Sequence, residues 1–118
     1  MSLSTTKTRD YPKVDRMRGV NYLKTITTTD YTISNEDKGK ILLLTNSLST
    51  NVTVAALSIP IGSQIDIIEM SSNPSILTPD TGVTLNSKGA ATGISDQYSG
   101  VTLIKTGDSE WTLIGDIA

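Results

Sequence analysis

The chain has 118 residues and a net charge of −2, a length that accommodates one domain. It contains neither His nor Cys, which removes disulfides, thiolate and imidazole metal sites, and the Ser-His-Asp and Cys-His nucleophile systems. Phe is absent, four Tyr and one Trp are the whole aromatic complement, and Ser and Thr fill 32 positions, a composition that suits half-exposed strands better than packed helices.

The N-terminus, Met1-Ser2-Leu3-Ser4-Thr5-Thr6, lacks the apolar run of a signal peptide, and no stretch of about 18 apolar residues follows, so no membrane segment is expected. Residues 1–24 carry six Lys or Arg against two Asp, whereas residues 25–118 carry four against ten. Residues 1–24 also show no sustained period, and Tyr11-Pro12 favours extended chain. They read as a basic arm, an extended segment outside the body. Its scattered anchors and charges, Arg9, Tyr11, Lys13, Val14, Arg16, Met17, Arg18 and Tyr22, suit docking on an acidic surface. A short helix over Lys13 to Arg18 is the competing local reading.

From Thr25 onward, short Thr-rich and Ile/Val/Leu-rich segments alternate with Gly, Pro, Asn, Asp and Ser, the pattern of a compact all-β body over residues 25–118. One strand is predicted through Ile26 to Ile33, then a helical turn capped by Ser34 and ended by Gly39. Strands follow at Lys40 to Thr45 and at Asn51 to Ala56, where Val52, Val54 and Ala56 share one face. Gln64 to Met70 places Ile65 and Ile67 opposite Ile68 and Met70, which predicts a strand covered on both sides. Further strands are expected at Ser75 to Thr78, Val83 to Ser87, Val101 to Lys105 and Trp111 to Ile117, the last two forming a hairpin through Gly107-Asp108-Ser109. The expected architecture is a small antiparallel β-sandwich or barrel-like domain preceded by the arm. Four look-alike triplets, from Val52-Thr53-Val54 to Trp111-Thr112-Leu113, start at uneven intervals, which argues against a solenoid. So small a core also favours self-association.

Only carboxylates remain as acid or base candidates. Asp66 and Glu69 would point to opposite faces of a strand, and Asp108 and Glu110 fall in a turn, so neither pair suits catalysis. Gly39-Lys40 lacks the spacing of a phosphate loop. No catalytic residue, metal or cofactor is expected, and the chain does not read as an enzyme. Nucleic acid is a disfavoured partner for the arm, because the acidic body would repel the same phosphates. Tyr98 and Trp111 offer aromatic faces for a sugar ring, although core packing is the commoner use of such residues, and Trp111 shares a strand face with Leu113.

The succession Tyr31-Thr32-Ile33, Asp37-Lys38-Gly39-Lys40, Ile59-Pro60-Ile61-Gly62-Ser63-Gln64-Ile65-Asp66-Ile67, Gly82-Val83-Thr84-Leu85-Asn86-Ser87 and Gln97-Tyr98-Ser99-Gly100-Val101-Thr102-Leu103, closing on Trp111-Thr112-Leu113-Ile114-Gly115-Asp116, resembles the β-rich modules of tailed-bacteriophage virion proteins. The likeness covers about three quarters of the chain. It implies a structural protein of the virion, made in the host cytoplasm, that forms homo-oligomers, trimers above all. With an arm and no long shaft, it implies a capsid decoration or cement protein that docks by its N-terminal arm on the major capsid protein and stabilises the coat lattice. A tail-fibre or head-fibre module, with Tyr98 and Trp111 on host-surface carbohydrate, is the alternative.

Overall fold

The computed structural model describes residues 22–118, and they are all-β. Strands β1 (Leu23–Ile26), β3 (Ile41–Leu44) and β5 (Gln64–Glu69) lie side by side in one sheet, and β2 (Asp30–Thr32), β4 (Asn51–Val54) and β6 (Ile76–Pro79) in a second. The chain therefore passes from sheet to sheet and back, adding one strand to each per coil. After β6 it forms β7 (Thr84–Ser87), then the hairpin of β8 (Gly100–Gly107) and β9 (Glu110–Gly115), which inserts between β5 and β7 to give the order β1-β3-β5-β8-β9-β7.

This topology corrects two expectations. Five of the seven strand pairings are parallel, and only β5–β8 and β8–β9 are antiparallel. The first six strands make three stacked, solenoid-like rungs, although the sequence argued against a solenoid. Stacking requires strands in register, not corners of equal length. Leu23 lies beside Ile41 and Asp30 beside Asn51 in the first step of the stack, then Ile41 beside Asp66 and Asn51 beside Ile76 in the second. The second step spans visibly more chain than the first, and within the first the two sheets differ as well. A stack whose corners vary this much leaves no fixed period in the sequence.

The strand expected over Ile26 to Ile33 is two strands in different sheets, separated at Thr27–Thr29 where the chain crosses. β1 also begins inside the segment read as the arm: Leu23 and Lys24 belong to it, and the Tyr22 carbonyl accepts from the Ile41 amide at 2.6 Å. The expected helical turn is a 3-10 turn over Asn35–Asp37, with the Ser34 amide donating to Asp37 Oδ2 at 2.9 Å and Gly39 at φ +75° closing it.

The core lies between the two sheets. Leu42, Leu44, Ile65, Ile67 and Leu103 from the larger sheet meet Val52, Val54 and Leu77 from the smaller, each at most 1 % exposed. Trp111 is completely buried, and its Nε1 donates to the Ala55 carbonyl at 2.9 Å, tying the hairpin to the corner after β4. The buried Lys105 ammonium closes the hairpin turn by donating to the Gly107 and Asp108 carbonyls at 2.9 and 2.6 Å.

Gly115 ends β9 at φ +117°, where an added Cβ would stand 2.6 Å from the Gly100 carbonyl oxygen and 2.8 Å from Val101 Cα, both backbone. At Gly107 the added atom would meet the Glu110 side chain, its Oε1 at 2.9 Å, which can swing away, and its Cβ at 3.0 Å, which must give by a few tenths of an ångström. Gly115→Ala is therefore expected to cost about 2–4 kcal/mol and Gly107→Ala under about 1 kcal/mol. Denaturant unfolding of the two variants checks the contrast.

Candidate assembly surface

Two features stand out among the described residues: an apolar outer face on the larger sheet and a polar cluster where the stack begins. The face follows from strand periodicity. Leu42 and Leu44 point into the core, so Ile41 and Leu43 point out; Ile65, Ile67 and Glu69 point in, so Gln64, Asp66 and Ile68 point out. Strand registers align these into rows. One runs Leu23, Ile41, Asp66, Thr102, Ile114, the next Thr25, Leu43, Ile68, Gly100, and a third Gln64, Ile104, Thr112, Asn86. Ile41, Leu43, Ile68 and Ile104 are half-buried by their neighbours alone, while Leu23 and Ile114 at the margins are 54 % and 48 % exposed. Near the middle, the Thr102 hydroxyl donates to Asp66 Oδ1 at 2.6 Å, beside a hollow of about 250 Å³.

The smaller sheet is its opposite. Its outer face carries Asp30, Asn51 and Ile76 in one row and Thr32, Thr53 and Thr78 in the other, with Thr78 Oγ1 donating to Asn51 Oδ1 at 2.8 Å. The outer face of the smaller sheet is mostly polar, whereas that of the larger carries six aliphatic side chains among its polar ones. The expectation that β5 is covered on both sides is met on the core side only, for no described residue covers Ile68, and Met70 is 36 % exposed.

At the start of the stack, the fully buried Asp37 accepts from the Tyr31 hydroxyl at 2.6 Å and from Lys24 Nζ at 3.2 Å, and Lys24 Nζ also donates to Tyr31 Oη at 2.8 Å. Lys24 is held above its ordinary value of 10.5, first by the Tyr31 hydrogen bond and then, against the opposing effect of burial, by Asp37. The Tyr31 phenol is raised above 10.0 by burial and by its bond to Asp37.

The sequence-level site residues divide sharply. Arg9, Tyr11, Lys13, Val14, Arg16, Met17 and Arg18 lie outside the described residues, and Tyr22 stands at the entry to β1. Tyr98 is 69 % exposed in a turn at φ +68°, its amide donating to the Glu69 carbonyl at 2.6 Å. Trp111 has no exposed surface, so it offers no face to a sugar, and the two aromatics do not form a common site. Asp66 and Glu69 do point to opposite faces. Glu69 is buried and structural, accepting from the Ser75 amide at 2.7 Å and from the Ser71 amide and hydroxyl at 3.3 and 3.1 Å.

Among the described residues no three acidic side chains gather as a metal site, and no helix is long and apolar enough to cross a membrane. A second, apolar hollow of about 350 Å³ lies along β7 and β9, lined by Ser87, Leu113, Ile114 and Ile117, with no titratable pair facing it. No family model matches the chain, and no curated protein matches it.

The polar cluster carries a pH prediction. Both folded pKa values stand above their ordinary ones, so this stabilisation is complete below about pH 10 and is lost as pH rises through the raised values. Tyr31→Phe, which takes a donor from buried Asp37, is expected to cost about 1–3 kcal/mol at neutral pH and to flatten the alkaline loss. Urea midpoints measured from pH 7 to 11 for both proteins test this.

Proposed function

We propose that the chain is a self-associating structural module of a bacteriophage virion, its copies packed through the outer face of the larger sheet. The observation that carries this reading is the unlike character of the two outer faces: Ile41, Leu43, Ile68 and Ile104 on one, Thr32, Thr53 and Thr78 on the other. Six strands at about 4.8 Å spacing and some five residues long give a face of roughly 400 Å². Each copy would bury the same roughly 400 Å² in a pair or around a three-fold axis, less than the ~800 Å² per partner of stable interfaces, so association needs further contact outside this face. The trimer is the state that the resemblance to virion modules implies.

In this reading the basic arm fastens the trimer to the major capsid protein as decoration or cement. A fibre module is the second reading, and it draws on a specific observation: stacked rungs end in a closed hairpin on one side and receive the N-terminal segment on the other, as the last segment of a longer stack would. Among the described residues, Tyr98 is the exposed aromatic that such a module could offer to carbohydrate.

The full-length protein is expected to sediment as a trimer, and Ile68→Lys, which places a charge in the buried face but leaves the core untouched, to weaken association by at least about 100-fold with an unchanged circular dichroism spectrum. A wild-type monomer at high concentration contradicts the reading. Gold labelling of particles separates its two forms: label over the head surface supports decoration, and label on a fibre supports the alternative.

A further inference from the structure

The two ends of the stack are finished differently. Behind β5 lies the antiparallel hairpin. Behind β6 lie residues 92–94, with the Leu77 amide donating to the Thr92 carbonyl at 2.8 Å, and Gly93 is in turn paired in both directions with Ala118. At the other end, β1 and β2 have no partner on their outer edges among the described residues.

Ladder alternation identifies the bare groups. The carbonyls of Tyr22 and Ile26 bond β3 and its following residue, so the N–H and C=O of Leu23 and Thr25 face outward. Thr29 and Ile33 bond β4, so those of Asp30 and Thr32 face outward too, and of these only the Asp30 carbonyl has another donor among the described residues, the Thr28 hydroxyl at 2.6 Å. Two adjacent bare edges are a template for further strands.

The chain supplies a matching segment. Leu3-Ser4-Thr5-Thr6-Lys7-Thr8-Arg9-Asp10-Tyr11-Pro12 aligns without a gap on Leu23-Lys24-Thr25-Ile26-Thr27-Thr28-Thr29-Asp30-Tyr31-Thr32, with Leu, Thr, Thr, Asp and Tyr identical, and the same offset brings Gly19 onto Gly39. That offset, Leu3 to Leu23, is longer than the one from Leu23 to Ile41 and shorter than the one from Asp30 to Asn51, the two that separate the first rungs. We propose that residues 3–12 of the same chain form a fourth rung on the bare end, Leu3 and Thr5 joining the rows of Leu23 and Thr25, and Tyr11 covering Tyr31.

Pro12 supports this placement. It aligns with Thr32, whose amide faces away from β4, so the nitrogen of Pro12 faces away from β2 and no ladder bond is lost. A proline there also blunts the new edge. The opposing contribution is the adjacency of Asp10 and Asp30 on an exposed face, a like-charge repulsion across neighbouring strands. The rung adds Leu3 to the apolar face and leaves residues 13–18, with Lys13, Arg16 and Arg18, as the part of the arm free to meet a partner.

Because the chain has no Cys, engineered pairs report cleanly. Neighbouring strands lie about 4.8 Å apart, within disulfide reach, and successive side chains alternate faces. In the full chain, Thr5→Cys with Thr25→Cys is expected to close an intramolecular disulfide at least about tenfold faster than Thr6→Cys with Thr25→Cys. In the unsubstituted protein, the amides of Leu23, Thr25, Asp30 and Thr32 are expected to exchange as slowly as those of Lys24 and Ile26. Equal rates for the two pairs, a disulfide between chains, or fast exchange at the four amides overturns the proposal. None of these readouts depends on trimer formation.

Discussion

The outward side chains of Ile41–Leu44 and Gln64–Glu69 have no layer packed over them within the described residues, and much of the molecule's design follows from that. Their inward side chains build the core, where each fully buried aliphatic contributes about 1.5–3 kcal/mol. Their outward ones build a second apolar layer that water contacts unless something else does. Dispersed singly, such residues are ordinary on a protein surface. Aligned in register across β1, β3 and β5, Leu23, Ile41, Leu43 and Ile68 form one contiguous patch, with Ile104 and Ile114 set beyond the Asp66–Thr102 pair.

A stack of short strands has little core per rung, and this chain holds its corners with polar groups instead. Buried Glu69 gathers the amides of the turn after β5, and buried Asp37 draws Ser34, Tyr31 and Lys24 together in the crossing from β2 to β3. Asn73 Nδ2 donates to the Ser47 carbonyl, so successive corners also bind each other. Each buried carboxylate is satisfied several times over, which is the condition for leaving a charge inside. Asp37 and Glu69 thus hold the corners of the stack.

Local grammar is readable in the sequence. The hairpin at Gly107-Asp108-Ser109, the turn between Ser34 and Gly39, and the core face of Val52 and Val54 all follow from turn chemistry and period-two alternation. Strand partners are not readable, because alternation is the same in parallel and antiparallel ladders, and corners of unequal length hide the rung spacing. The apolar outer face is legible in part: the continuous run Ile41-Leu42-Leu43-Leu44 signals a strand apolar on both faces just as Ile65–Ile68 does, but that two such strands lie side by side is a matter of pairing. Trp111 illustrates the limit for site residues: its place beside Leu113 favours the core over a sugar platform, and its complete burial and bond to Ala55 in the corner after β4 decide for the core.

An apolar face with a hydrogen-bonded Asp66–Thr102 pair near its middle suits association that must be both adhesive and registered. The most direct measurement is methyl NMR on the isoleucines with a soluble paramagnetic probe, at working concentration and on dilution. Ile61 and Ile76, 60 % and 52 % exposed away from the face, serve as references. The account predicts that Ile68, Ile104 and Ile114 are shielded when concentrated and broaden on dilution while the references broaden throughout. Broadening of the face methyls to the same degree at every concentration would contradict it.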